Sequence, residues 1–222
     1  MFEFLAEYAP TIVDGFLITV AITLFGTFSG LGFGTLLALG DIYGGKVVSA
    51  VIRVYVEFFR GSPLIVQLFV AQYAIPELLH LRINPFVTAF AVFALNSAGY
   101  QKGYIKGALE TVSTEQMQAG LSVGMSGRQT LFYVILPQAM RIVIPAWTNE
   151  FCSITKSSAA LGFVGFLDLT GVGRTIASQK YIILPAWLTI AAIYLAWITA
   201  FTKAADIVYE RKKIPGLEIS PI

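Results

Sequence analysis

Residues Glu115–Glu150 read EQMQAGLSVGMSGRQTLFYVILPQAMRIVIPAWTNE. The first third is polar and punctuated by Gly120, Gly124 and Gly127; the remainder is apolar enough for lipid and carries Pro137 and Pro145. An ordinary loop has no use for that pattern. A short amphipathic helix offered to a partner, running straight into a proline-bearing membrane helix, does.

The composition around it agrees. Of 222 residues, 56% are hydrophobic and 13% charged, against about 25% charged in a typical soluble domain. One soluble core of this length cannot hide that apolar surface, so the chain is read as an integral membrane protein. The single cysteine, Cys152, forms no internal disulfide, and the lone His80 excludes a histidine-rich metal site. A net charge of +2 gives no reason to expect nucleic acid. The N-terminal MFEFLAEYAPTIVDG carries Glu3, Glu7 and Asp14 but no basic residue, unlike a secretory signal peptide. Its apolar continuation is expected to stay in the mature protein.

Crossing a ~30 Å hydrocarbon layer takes about 20 helical residues. Five segments qualify: 15–40, 61–76 extended back through 47–59, 85–101, 131–154 and 181–202. Lysines and arginines favour the cytoplasmic side. Lys46, Arg53, Arg60, Lys102, Lys106, Arg128, Lys203, Arg211, Lys212 and Lys213 gather on one side, against Arg82, Lys156, Arg174 and Lys180 on the other. That asymmetry predicts an outside N-terminus, a cytoplasmic C-terminus and a cytoplasmic 112–130 loop, in a single transmembrane domain spanning 1–222.

Gly26, Gly30 and Gly34 recur every four residues in the first span, a spacing that lets helices approach closely in lipid. Gly44-Gly45-Lys46 lacks the glycine spacing and hydroxyl of a phosphate loop, and no such motif occurs elsewhere. With no Ser–His pair, paired acids or metal-ligand spacing, the chain is not read as an enzyme.

Polar groups at membrane depth are costly unless they face protein or a water-filled path. Three clusters stand out: Arg60-Gly61-Ser62-Pro63 with Gln67 and Gln72; Asn96-Ser97-Ala98-Gly99-Tyr100; and Asn149-Glu150 followed by Ser153, Thr155, Lys156, Ser157 and Ser158. Each has a plainer reading. Arg60 would snorkel to the headgroups. Asn96 and Ser97 would be interhelical hydrogen-bond glue. Glu150 and Lys156 would pair as ions. The sharper reading takes Arg60, Ser62, Gln67, Asn96, Ser97, Asn149, Glu150 and Lys156 as lining one path. Both charges and neutral donors are then available to an amino-acid zwitterion.

Glu115-Gln116-Met117-Gln118-Ala119-Gly120-Leu121-Ser122-Val123-Gly124 followed by Leu136-Pro137-Gln138-Ala139 resembles the coupling loop of ABC-importer permeases of the polar-amino-acid (histidine, glutamate, glutamine, arginine, opine) family. That pattern is G-Q-x-E-A-A-x-x-x-G, then L-P-Q-A. Phe59-Arg60-Gly61-Ser62-Pro63-Leu64, Asn149-Glu150-Phe151 and the run from Leu161 to Ser178 are similar as well, in the expected order along nearly the whole chain. Two departures stand out. The motif glutamate is Gln118 and the second alanine Gly120; the usual K-D-T-S is Lys156-Ser157-Ser158-Ala159. These variants look like glutamate/aspartate permeases, with basic amino acids or glutamine as alternatives.

The resemblance implies a type I ABC-importer permease fold: all-α, about five transmembrane helices and a cytoplasmic coupling helix, in a prokaryotic cell membrane. Gln116, Gln118, Ala119, Gly120, Leu121, Gly124 and Met125 would contact a separate ATPase subunit. That subunit pair would carry the ATP and Mg, leaving this chain without a bound cofactor or metal. Gly124 would end the coupling helix, and Leu121, Val123 and Met125 would give apolar contact. The implied partners are a solute-binding protein that delivers the amino acid, a second identical or homologous permease, and the bilayer. An ATP-independent channel or carrier and a membrane anchor are the competing readings; the first has no use for residues 115–130, and the second has little reason to line the second, third and fourth spans with polar residues.

Overall fold

In the computed structural model, which describes residues 2–214, the chain is helical along nearly its whole length. We label the helices α1 (Phe2–Tyr43), α2 (Gly45–Gly61), α3 (Leu64–Leu79), α4 (Pro85–Ser122), α5 (Gly127–Ile142), α6 (Ile144–Phe163), α7 (Leu169–Lys180) and α8 (Ile183–Lys212).

Helices α1 and α4 form the axis of the bundle and run parallel. Position by position, the glycines of α1 face one stripe of α4. A Cβ at Gly26 would lie 3.2 Å from Phe93 Cβ, one at Gly30 2.7 Å from Ser97 Cβ, and one at Gly34 3.0 Å from Gln101 Cβ. The four-residue glycine repeat is therefore a packing face. Thr19, Thr23 and Thr27 extend that face and are fully buried. The hydroxyls of Thr23 and Thr27 donate to Thr19 O (2.7 Å) and Thr23 O (2.5 Å), so burial leaves neither of these donors unpaired, and Thr19 Oγ1 accepts from Leu169 N at 3.1 Å.

Parallel packing brings the C-terminal half of α4 and the end of α1 to the same basic end of the molecule. Asp41 there accepts from Lys102 at 2.6 Å and Lys106 at 2.8 Å, and also from the Ser49 hydroxyl at the start of α2. Ala38, Ile105, Leu109, Ile135, Ala139 and Ile142 pack beneath it. At the opposite end, Ile12, Leu169, Val172, Ala186 and Ile190 form a second core. Asp168 caps α7 by accepting from Gly171 N (2.9 Å) and Thr170 N (3.1 Å), with the Ser158 and Tyr194 hydroxyls alongside. Burial pushes its carboxyl above the ordinary value, against the pull of those four donors.

Prolines shape the remaining spans. A proline lacks an N–H and its ring crowds the carbonyl four residues back. A wide turn relieves that crowding ahead of Pro76, where Ile75 N donates to Val70 O, and ahead of Pro137, where Leu136 N donates to Leu131 O. Pro145 goes further and breaks the span between α5 and α6 by 54°. Gly61-Ser62-Pro63 turns the chain through 105° between α2 and α3.

The first break falls where Gly61 and Pro63 signal one within the 47–76 segment; the second corrects a sequence expectation, since segment 131–154 is two helices, not one. Helices α1 and α8 are long and apolar enough to cross a membrane alone, and each bent pair supplies a further candidate span. The 38-residue α4 is long enough to be a fifth candidate span beside these two helices and two bent pairs. Asn96, Ser97 and Gln101 lower its apolar content, but they are buried inside protein rather than lipid-facing. It also extends the 85–101 segment by six turns. No proline interrupts residues 86–122, so the expected short coupling helix is the C-terminal end of α4 rather than a separate element.

Candidate functional site

The break at Gly61–Pro63 organises the site. Ending a helix mid-bundle frees backbone carbonyls that must find donors away from water. Gln67 Nε2 donates to Phe59 O (2.9 Å) and to Ser62 O and Oγ (3.0 and 2.9 Å). Asn96 Nδ2 donates to Phe59 O at 3.1 Å and to Gln67 Oε1 at 3.0 Å. Two buried amides thus stitch the broken α2–α3 corner onto α4.

Beside that corner is a cavity of about 420 Å³, lined by Arg60, Ser62, Asn96, Tyr100 and Glu150, with Ser153 and Ser157 on the α6 side. The Arg60 guanidinium lies 5.3 Å from the Tyr100 ring centroid, within cation–π range. Glu150 is only 4% exposed and accepts from Ser97 Oγ at 2.9 Å. Ser97 in turn accepts from Gln101 Nε2 at 2.9 Å, which also donates to Thr27 O at 2.8 Å. A chain of hydrogen bonds therefore ties the carboxylate to the α1–α4 contact. The cavity offers one cation, one carboxylate and several neutral donors and acceptors.

Of the eight path residues expected from sequence, Arg60, Ser62, Asn96 and Glu150 line the cavity, while Gln67 and Ser97 hold the lining in place. Asn149 and Lys156 do not line it; both are exposed on this chain. Nor does Lys156 pair with Glu150, and none of the ion pairs among the described residues includes either side chain. Six residues turn a helix by about 600°, which leaves the two on different faces. Tyr100, Ser153 and Ser157 were not among the eight. They fall four residues after Asn96 and three and seven after Glu150, so helical periodicity from the two chosen residues reaches them.

At the other end of α4, the chain stops as the glycine spacing predicts. Gly124 sits at φ +85°. Met125 N donates to Gly120 O (3.0 Å) and Gly124 N to Leu121 O (3.1 Å), the paired bonds of a Schellman stop. Leu121 and Val123 are 53% and 78% exposed. Gln118 and Ala119 face outward with them, Gln116 and Met125 are half-buried, and Gly120 is buried against Thr130. A capping box between Ser126 and Gln129 then starts α5.

Comparison with known proteins shows the family and the fold. The profile of the family described as binding-protein-dependent transport system inner membrane component matches residues 30–213. The L-cystine transport system permease protein TcyL of Bacillus subtilis (strain 168) is 30% identical over 203 residues, 89% of this chain and 85% of that protein. The glutamine transport system permease protein GlnP of Escherichia coli (strain K12) is 31% identical over 187 residues, 84% of this chain and 85% of that protein. Among solved structures, an amino acid ABC transporter crystallised with histidines matches with a TM-score of 0.85 at 30% identity, covering 95% of this chain and 98% of that one. The MetNI methionine ABC transporter in an inward-facing conformation shares the fold, with a TM-score of 0.76 at 22% identity. The chain is a multi-pass membrane protein and belongs to the family of binding-protein-dependent transport system inner membrane components.

Proposed function

We propose that the chain is the permease subunit of an ATP-driven importer of polar amino acids. It would take substrate from a solute-binding protein and couple to a separate ATPase through the Glu115–Ser122 end of α4 and the turn that follows it to Met125. The observation that carries this reading is the cavity in which Arg60 and Glu150 face neutral donors at membrane depth. An amino-acid carboxylate fits Arg60, and its ammonium fits Glu150 with Asn96 and the serines beside it. Relatives named for glutamine and cystine support the class.

Those two charges are used once by the zwitterion, and among the described residues no second cation lines the cavity. That favours a neutral polar side chain, as in glutamine, over the glutamate or aspartate that the motif variants suggest. The exposed Leu121 and Val123 support a docking role for the α4 end, since apolar groups projecting beyond the bundle gain by being covered. Asn149, Ser153 and Lys156, an exposed polar face of α6, support a second permease copy or the path itself beside them, because lipid would not suit them. The basic end is then cytoplasmic and the N-terminus outside, as the charge asymmetry predicts.

Uptake of a labelled amino-acid mixture into proteoliposomes tests the reading, with this chain, its ATPase and its binding protein reconstituted together. ATP-dependent accumulation of neutral polar amino acids is expected. For Glu150→Gln, losing one charge-assisted contact should raise the half-saturating substrate concentration about 10–100-fold at unchanged protein level. Equilibration without ATP would overturn the importer reading. A Glu150→Gln variant altered only in protein level would return Glu150 to a structural role.

A further inference from the structure

Two cavities that the transport reading does not use meet at the α5–α6 break. One, of about 550 Å³, is lined by Pro137, Met140, Arg141 and Ile144 together with Arg211, Lys212 and Lys213 from the end of α8. The other is a smaller apolar slot of about 140 Å³ between α1 and the break, walled by Phe28, Leu31, Met140, Val143, Ile144 and Trp147. Met140 and Ile144 line both, so the basic cavity adjoins the apolar one.

Among the described residues the charges there are not balanced. Lys213 pairs with Glu210 at 2.8 Å, but Arg141, Arg211 and Lys212 enter none of the ion pairs among the described residues. All three are exposed. Depth fits as well. Ten residues of α1 separate Leu31, in the slot wall, from Asp41, the next charged residue along the chain. That is about 15 Å of helix, half of a ~30 Å hydrocarbon layer. The slot therefore sits at acyl-chain level, with Arg141 one residue from Met140 in its wall and Arg211 and Lys212 at the end of α8 lining the adjoining cavity.

We propose that this composite site binds one anionic phospholipid, its phosphate held by Arg141, Arg211 and Lys212 and one acyl chain in the Phe28–Trp147 slot. A lipid seated there touches α1, both sides of the α5–α6 break and the end of α8, and braces the break against further bending. The proposal stands apart from the substrate assignment.

The full chain in detergent, titrated with phosphatidylglycerol or phosphatidylcholine and read by native mass spectrometry and thermal melting, decides it. Phosphatidylglycerol should be retained preferentially and raise the melting temperature. Arg211→Gln/Lys212→Gln lies at an exposed helix end and leaves the core intact; it should weaken retention about fivefold per cation removed, the ratio for ~1 kcal/mol per basic group. Arg141→Gln should act in the same direction, and Arg53→Gln, away from the site, should not. Equal retention of the two lipids, or unchanged retention in the double variant, would overturn the proposal. So would stabilisation by inorganic phosphate alone matching that by phosphatidylglycerol, since the anion would then need no acyl chain.

Discussion

Gly30→Ala is a one-carbon test of how the bundle holds its site. The added methyl would lie 2.7 Å from both Ser97 Cβ and Ser97 Oγ, and 2.8 Å from Gln101 Nε2. Carbon atoms rest at about 3.5–4.0 Å, so α1 and α4 must part by about 0.8 Å or Ser97 must move. Overpacking of this kind costs about 1–3 kcal/mol. Moving Ser97 also stretches its 2.9 Å bond to Glu150, the one hydrogen bond that the described residues give that buried carboxylate. A bond to a charged group is worth about 1.5–3 kcal/mol.

The control lies two residues away. A Cβ at Gly32 would meet nothing within 4 Å, so Gly32→Ala makes the same chemical change on the open face of the same helix, where alanine also favours the helix by about 1 kcal/mol. At about 2–4 °C per kcal/mol for a chain of this size, Gly30→Ala should melt about 3–10 °C lower by fluorescence-detected thermal unfolding. Reconstituted uptake should weaken with it. Gly32→Ala should match or exceed the wild type in both. Equal melting and equal uptake for the two variants would refute the close α1–α4 approach as the element that sets Ser97 and Glu150.

Two other positions give sharp outcomes. Gly124→Val places a β-branched residue at φ +85°, which costs about 1–2 kcal/mol; uptake should fall relative to ATP hydrolysis while Gly124→Asn, tolerant of that conformation, keeps both, and normal coupling in the valine variant would remove the role assigned to the turn. Asp168→Ala leaves the Thr170 and Gly171 N–H groups without their cap and should lower the melting temperature by the equivalent of about 0.5–2 kcal/mol. Because the folded Asp168 carboxyl lies above its ordinary 3.8, the folded state holds its proton longer than the unfolded one. Its contribution is then greatest below pH 3.8 and declines as pH rises through the folded value. Asp168→Asn, with no proton to lose, should flatten that slope, and an unchanged slope would assign it to another group.

How much of this was legible in the sequence depends on whether a feature is local. Gly26, Gly30 and Gly34 announced a packing face because helical spacing alone puts them together, and Gly124 announced a helix stop because few other residues take positive φ. The breaks were harder. Gly61-Ser62-Pro63 and Pro145 each carry a breaking signal, but a 105° turn in one span and 54° in another depend on what fills the corner. Gln67 and Asn96 fill the first, and their partnership spans 29 residues of sequence. Lys156 misled for the opposite reason. Its nearness to Glu150 in sequence suggested a pair, whereas α6 turns the two apart and gives Glu150 to Ser97, 53 residues away.

On the proposed reading, the same geometry says which walls of the cavity move. Helix α4 carries both Asn96 and the docking end, with 24 residues, about 36 Å of helix, between Ser97 and Leu121. A stiff rod pinned at one point swings most at its far end. The pin is the glycine contact at Phe93, Ser97 and Gln101, level with the cavity. Motion delivered near Gly124 would therefore sweep the tip of α4 while leaving Asn96 and Ser97 almost in place. Arg60 and Ser62 border the 105° corner, and Glu150 lies seven residues beyond the Val143 break. Those are the places where backbone hydrogen bonding is already interrupted and rotation costs least. Opening and closing should then displace Arg60 and Glu150 relative to a fixed Asn96, lengthening the Asn96–Phe59 and Ser97–Glu150 hydrogen bonds that hold them in this state and parting the two charges that the zwitterion bridges. Spin-label distances from α4 to α2 and to α6 that stay constant between nucleotide-free and ATP-bound states would exclude this division of labour. Distances that change while those between α1 and α4 do not would place the moving parts at the two breaks.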